Sequence, residues 1–247
     1  MSAHPIFTIP DFTIFATIIH SFIKFHIGGL PIIIGFCRYI HSEGLKLIEW
    51  HWDPQFGPGK KFVEHLKKAH PDTQQGLVYV AIFESYIQNL LLQVISFLNI
   101  NHQLGNQYSD GQLFTLEIDI KLLRRNSNFF HHDGGWDGGD IDVLGFSYMR
   151  SDDLFENPRD VQKTDITLVL PKQEIEPGTV VSNGDQAEYG EKSITERLRE
   201  DQIIFFNNHR YLHAAPASIP MCQVRASDKK CSRTILIRFT LTKRRRN

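Results

Sequence analysis

Cysteine is scarce: three in 247 residues, at Cys37, Cys222 and Cys231, far apart in the chain. So few exclude a disulfide-stapled scaffold and a cysteine-based zinc module. They suit a reducing compartment, and a cytoplasmic location is expected. Charge imbalance is also lacking. The net charge is -1 at neutral pH, so no overall field draws the chain to nucleic acid, and no nucleic-acid partner is expected. The basic run Lys243-Arg244-Arg245-Arg246 reads as a solvated end. Internal repeats and low-complexity tracts are missing. So are several catalytic signatures. Gly145-Phe146-Ser147-Tyr148-Met149 lacks the second glycine of a nucleophile elbow, and no His-Glu-x-x-His zinc motif occurs. Gly57-Pro58-Gly59-Lys60-Lys61 lacks the spacing of a phosphate loop and reads as a turn. A cupin-type centre would need His-x-His and a following Glu, which the strand-like segments do not supply.

An uninterrupted membrane-length apolar run is absent from the first forty residues. Phe12 to Ile40 is strongly apolar, but His20, Lys24 and His26 break it, followed by Gly28-Gly29 and Pro31. A spanning helix needs about 20 apolar residues in a row. No basic stretch precedes the run and no small-residue cleavage site follows it, so it does not read as a secretory signal. The expected role is a buried or partner-covered segment, with membrane association left open as the alternative.

What is present is a globular composition: 41% apolar and 22% charged residues, enough apolar surface to offset chain entropy. Residues 1–110 read as mostly helical. Lys60 to His70 is amphipathic through Phe62, Leu66 and Ala69, and stops at Pro71. Val78 to Leu98 is apolar over most of its circumference and predicts a buried helix, capped by Asp72 or Thr73. From about residue 111 the period changes. Phe114, Leu116, Ile118, Ile120 and Leu122 alternate with Thr115, Glu117, Asp119 and Lys121, a strand with one wet face. Strand-like runs follow at Ile141–Met149, Ile166–Leu170, Thr179–Ser182, Ile203–Phe206, Tyr211–Ala215 and Arg233–Thr242. Many strands at short spacing predict an antiparallel sandwich or barrel. The expected class is therefore α+β, with a helical part (1–110) packed on a β core (111–247) and a boundary near Asn106–Gly111.

A facial iron site needs two imidazoles and one carboxylate on one side of the metal. His-x-Asp on an extended segment supplies two of them, because side chains at i and i+2 point the same way. The triplet occurs three times, at His51–Asp53, His70–Asp72 and His131–Asp133, so context must choose. His70-Pro71-Asp72 sits at a helix end, where Asp72 serves as a cap. His51-Trp52-Asp53 runs into Pro54 and a turn, with no paired strand expected nearby. His131-His132-Asp133 lies between strands; it is either a polar turn or a ligand pair. Gly134, Gly135, Gly138 and Gly139 around it would let a bound molecule approach the backbone. Downstream, Ile203–Phe206, Asn207–Arg210 and Tyr211–Pro216 read as a hairpin, with His213 in the returning strand and His209 solvated in the turn. Arg233 shares strand parity with Ile235, Ile237 and Phe239. It is either a rim arginine paired with a surface acid or a buried guanidinium that needs an anionic partner. Arg238, of opposite parity, is expected to be exposed or paired on the outer face. Trp136 and Tyr211 are candidate pocket walls.

At these residues the chain resembles the 2-oxoglutarate–Fe(II) dioxygenases that include bacterial L-isoleucine 4-hydroxylases. The resemblance rests on His131-His132-Asp133-Gly134 before an apolar strand, on Leu212-His213-Ala214-Ala215-Pro216 after a polar turn, and on Arg233 to Phe239. It covers roughly residues 111–243. It implies a double-stranded β-helix (jelly-roll) core, iron ligands at His131, Asp133 and His213, and a 2-oxoglutarate anchor at Arg233. The implied cofactors are Fe(II) and 2-oxoglutarate, with ascorbate as reductant. The implied reaction couples conversion of 2-oxoglutarate to succinate and CO2 with hydroxylation of a C–H bond in a small molecule, free L-amino acids being candidates. A homodimer is compatible with this reading. An inactive or membrane-associated binding protein on the same fold is the alternative. Ser151 to Glu200 is longer and more polar than the resemblance leads one to expect, and reads as an insertion or a lid.

Overall fold

A computed structural model of the chain describes residues 4–24, 32–42, 44–52, 60–61, 64–65, 67–68, 73–102, 111–123, 130–133, 140–150, 164–169, 193–214 and 234–243. Ten strands and two long helices lie within them. In chain order they are β1 (Ile6–Thr8), α1 (Phe12–Lys24), β2 (Ile32–His41), β3 (Leu45–Trp52), α2 (Thr73–His102), β4 (Leu113–Leu123), β5 (Asp140–Arg150), β6 (Thr164–Val169), β7 (Ser193–Leu198), β8 (Gln202–Asn207), β9 (Leu212–Ala214) and β10 (Thr234–Lys243). A seven-stranded sheet runs β1-β8-β5-β10-β4-β2-β3, and a three-stranded sheet runs β7-β6-β9. The pairings are antiparallel. This mostly antiparallel, two-sheet arrangement is consistent with the expected jelly-roll-like core.

Alternation along the strands sorts the side chains into two cores. Phe114, Leu116, Ile118 and Ile120 of β4, with Ile235, Ile237, Phe239 and Leu241 of β10, face the helices in the larger cluster. The helices answer with matching stripes. Phe15, Ile18, Ile19 and Phe22 line one side of α1, and Phe83, Ile87, Leu90, Leu91, Val94, Ile95 and Leu98 line one side of α2. Those spacings are the 3.6-residue period of a buried face. Each such aliphatic or aromatic burial stabilises by about 1.5–3 kcal/mol. The opposite face of the large sheet carries a second cluster: Leu144, Phe146 and Tyr148 of β5, Ile204 and Phe206 of β8, and Leu198 of β7.

Two glycines mark close approaches. A side chain at Gly35 of β2 would press on Ile87 of α2, so the helix seats directly on that strand. At Gly145 of β5 the ring of Phe205, its cross-strand neighbour, occupies the space a Cβ would need. Phe205 in turn packs against Phe239 and Phe97, with ring centroids 5.9 and 5.8 Å away, and so ties β8 to β10 and α2.

Several expectations change here. The first 52 residues supply β1, β2 and β3 to the large sheet, so the sheet runs across the boundary expected near residues 106–111. Ile32–His41 has apolar residues of both parities, and without alternation it did not announce itself as a strand. The apolar N-terminal run is a core helix followed by an interior strand. Helix α2 is longer than Val78–Leu98 and is not buried all round: Leu77, Val78, Tyr79, Ile82 and Ile100 are exposed. Its Leu77–Asn101 stretch is long and apolar enough to cross a membrane by length and composition, which a core helix also satisfies. Strand β7, inside the polar stretch 151–200, was not anticipated. Asp72, Thr179–Ser182 and most of the Lys60–His70 segment lie outside the described residues, and the positions of that segment that are described are helical.

Gly145→Ala should force Phe205 out of its packed position. A loss of about 1–3 kcal/mol, typical of overpacking, is expected in urea unfolding. An unchanged midpoint would show that the Phe205 ring is free to move.

Candidate metal centre

His131 and His213 are brought together by the backbone. They form an antiparallel bridge in which His131 N–H donates to His213 O at 2.9 Å and His213 N–H donates to His131 O at 3.0 Å. Residues directly opposed in this way place their side chains on the same face. The two imidazole centroids are accordingly 4.4 Å apart. Asp133, two residues beyond His131, falls on that face as well.

The backbone of Asp133 is fixed by Asn208, which is 1% exposed in the turn after β8. Its side-chain carbonyl accepts from Asp133 N–H at 3.2 Å, and its amide donates to Asp133 O at 2.9 Å and Ile141 O at 3.1 Å. The turn itself is shaped by Asn207, whose Oδ1 accepts from the N–H groups of His209 and Arg210, a side-chain-closed turn.

Within the cluster, Asp133 Oδ1 lies 3.4 Å from His131 Nε2 and 3.8 Å from His213 Nε2. The three ligand-type atoms fall within 4.8 Å of one another. Donors bonded at about 2.1 Å in adjacent positions around one ion sit about 3 Å apart. The two carboxylate–imidazole separations, 3.4 and 3.8 Å, lie within an ångström of that spacing, and two imidazoles with one carboxylate is the donor set of a non-haem iron site. The residues present therefore fit a divalent metal ion.

Electrostatics support that fit. Burial depresses the His213 imidazole to about 3, outweighing attraction from Asp133, so the ring is neutral and its nitrogen lone pair is available. Phe146 and Phe206 surround it, with centroids 5.0 and 5.5 Å away. Burial alone would raise the Asp133 carboxyl. The hydrogen bond from His131 and the positive charge of Arg238 overcome it and hold the group ionised, well below the usual carboxylate range.

The second carboxylate oxygen has its own partner. Arg238 Nη1 donates to Asp133 Oδ2 at 3.1 Å, and Arg238 Nε donates to Asp119 Oδ2 at 3.0 Å. Asp119 is 2% exposed, and burial pushes its carboxyl up to about 6 despite the adjacent guanidinium. Arg238 Nη2 is buried with no partner among the described residues.

His131, Asp133 and His213 thus come together as expected from the sequence. Arg233 lies outside the described residues. Its presumed companions Ile235, Ile237 and Phe239 face the helices, and the arginine of β10 at the cluster is Arg238. Arg238 is paired, as expected, but on the inner face. The sheet gives its apolar parity to the helices, so the mixed-polarity parity of β4 and β10 lines the cluster. Asp119 belonged to the supposed wet face for the same reason. His209 is half-buried against Asp142, with Nε2 to Oδ1 at 2.8 Å, rather than simply solvated. His51 sits on the paired strand β3, stacked on Phe36. Asp53, His70, Asp72, Trp136 and the glycines 134, 135, 138 and 139 are outside the described residues. Asn208, Asp119 and Arg238 were not singled out from the sequence as site residues. The visible signal was the polar parity of two otherwise apolar strands.

No family model matches the chain, and no curated protein sequence matches it. Solved structures do. One is IDO from Bacillus thuringiensis, at 11% identity and a TM-score of 0.44, over 95% of this chain and 84% of that one. Another is a prolyl-4-hydroxylase from Pseudomonas putida, at 15% identity and a TM-score of 0.34, over 65% of each chain. A third is the non-heme iron oxygenase OrfP in complex with Fe, at 13% identity and a TM-score of 0.27, over 49% of this chain and 50% of that one.

Asn208→Ala would leave two carbonyls and one N–H without their partner, and is expected to lower stability by about 1–3 kcal/mol. Asn208→Asp would set a buried carboxylate against the carbonyls of Asp133 and Ile141, and should be the worse of the two. Chemical denaturation of both variants reads the order. Wild-type stability in the aspartate variant would remove the pinning role.

Proposed function

We propose that the protein is a non-haem Fe(II)- and 2-oxoglutarate-dependent dioxygenase that hydroxylates a small molecule on a jelly-roll-like core. The observation that carries this reading is the gathering of His131, Asp133 and His213, whose ligand-type atoms lie within 4.8 Å of one another. Iron bound there would supply oxygen activation, chemistry that no side chain provides. The protein's own contributions are more modest. His131, Asp133 and His213 would hold the metal from one side and leave the other side open to co-substrate and oxygen. Phe146 and Phe206 exclude water from the His213 ring and keep it in its ligating form.

On the sequence resemblance alone, Arg233 is the proposed holder of the far carboxylate of 2-oxoglutarate. Ascorbate as reductant, free L-amino acids as candidate substrates, a homodimeric assembly, a cytoplasmic location and the absence of a nucleic-acid partner belong to the same proposal. The helical part (1–110) and the core (111–247) remain its domain division, with strands of the former completing the sheet of the latter.

The test is release of succinate from 2-oxoglutarate with Fe(II) and ascorbate, screened over free L-amino acids. His213→Ala should abolish substrate-stimulated succinate release, and full activity in that variant would rule out the triad. Arg233→Ala should raise the 2-oxoglutarate concentration needed for half-maximal rate by about ten- to hundredfold, the worth of one charge-assisted hydrogen bond. An unchanged requirement would take Arg233 out of that role. A protein that binds no Fe(II) would instead be an inactive member of this fold.

A further inference from the structure

Resting on the iron reading above, we infer that Arg238 is a positioning residue that keeps Asp133 a one-oxygen ligand, and that Asp119 holds Arg238 in place for that task. The carboxylate of Asp133 is divided between two directions. Oδ1 faces the two imidazoles, at 3.4 and 3.8 Å, and Oδ2 accepts from Arg238 Nη1 at 3.1 Å. With Oδ2 committed to the guanidinium, rotation that would present both oxygens to one ion breaks a charge-assisted hydrogen bond. A single-oxygen carboxylate leaves one more coordination position open, which is what a site that must also receive a chelating co-substrate and oxygen requires.

The guanidinium cannot wander. Asp119 sits directly across from it on β4, bonds its Nε at 3.0 Å, and is buried. On the other face of β10, Ile237 and Phe239 are fully buried against the helical layer and fix the strand from behind. The three groups form a line, Asp119 to Arg238 to Asp133, drawn from β4, β10 and the segment after His131. Outer partners of metal ligands act in this way, orienting the ligand atom rather than touching the reactants.

Simple Coulomb reasoning gives the opposite sign, which makes the inference testable. Arg238 is a cation beside a cation site, so its removal without a positioning role should tighten metal binding. A positioning role predicts looser binding. The experiment titrates Co(II), as a spectroscopic stand-in for Fe(II), into metal-free wild type, Arg238→Met, Arg238→Lys and Asp119→Asn. It follows both affinity and the visible ligand-field absorption, with near-ultraviolet circular dichroism confirming the fold. Arg238→Met should bind Co(II) about ten- to hundredfold more weakly, with an altered ligand-field spectrum. Arg238→Lys should recover part of the loss, and Asp119→Asn should fall between wild type and Arg238→Met.

Equal or tighter Co(II) binding with a wild-type spectrum in folded Arg238→Met would overturn the inference. So would an increased 2-oxoglutarate requirement in that variant at unchanged Co(II) affinity, which would make the guanidinium an anion anchor. If Arg238→Met does not fold, Arg238→Lys and Asp119→Asn decide by the same affinity and spectrum. Failure of the wild type to bind Co(II) at all would sink the iron reading itself, a result distinct from either outcome above.

Discussion

Two reciprocal backbone hydrogen bonds between His131 and His213 underlie the rest of the site. They join positions 82 residues apart in the sequence and need no particular side chain, yet they decide which side chains can meet. Once the pair is registered, both imidazoles share a face, and Asp133 joins them through the two-residue repeat of extended backbone. A slip of one residue would turn His213 away and present Leu212 or Ala214. The register is secured from both ends. Strand β9 also pairs with β6, and Asn208 ties the Asp133 backbone to the turn that leads into β9.

The large sheet has two unlike faces. Its helix-facing side is aliphatic and aromatic, and it carries most of the apolar burial. Its other side mixes Leu144, Phe146, Tyr148 and Phe206 with Asp119, Arg238 and Thr240, all of them buried or nearly so. Ionised groups are tolerated there because each is answered: Asp119 and Asp133 by Arg238, and Asp133 again by His131. The helical layer supplies stability, which leaves the opposite face able to hold charge in a fixed arrangement.

Much of this was legible in the sequence. Strand β4 declared itself by strict alternation, and β5, β8 and β10 did so by apolar runs between turn residues. His131, Asp133 and His213 stood out because the donor types and the i, i+2 spacing match what an ion needs. What failed did so for physical reasons. Ile32–His41 is apolar on both parities, so its period did not separate strand from helix. Parity also says that two sets of residues lie on opposite faces without saying which face meets the helices. The apolar set of β10, Ile235, Ile237 and Phe239, faces the helical core. Asp119 reads as part of a wet face, and Arg238 as exposed or paired on the outer face, because burial of a charged pair depends on a partner strand that no local window contains. Helix α2, apolar over most of its circumference, reads as a buried helix because composition does not reveal how much of that circumference a sheet can cover.

Strand β10 lies between β4 and β5 in the sheet but follows both in the chain. During synthesis, β4 and β5 therefore emerge with the edges they will later offer to β10 still unpaired. Arg238 is not yet present to answer Asp119. For that interval the nascent chain holds exposed strand edges of the kind that recruit other chains. Insertion of a middle strand between two waiting neighbours is also a long-range closure, slow by nature. The same arrangement that buries Arg238 at the centre of the sheet leaves the joining of β4 to β5 to the last strand of the three to be made.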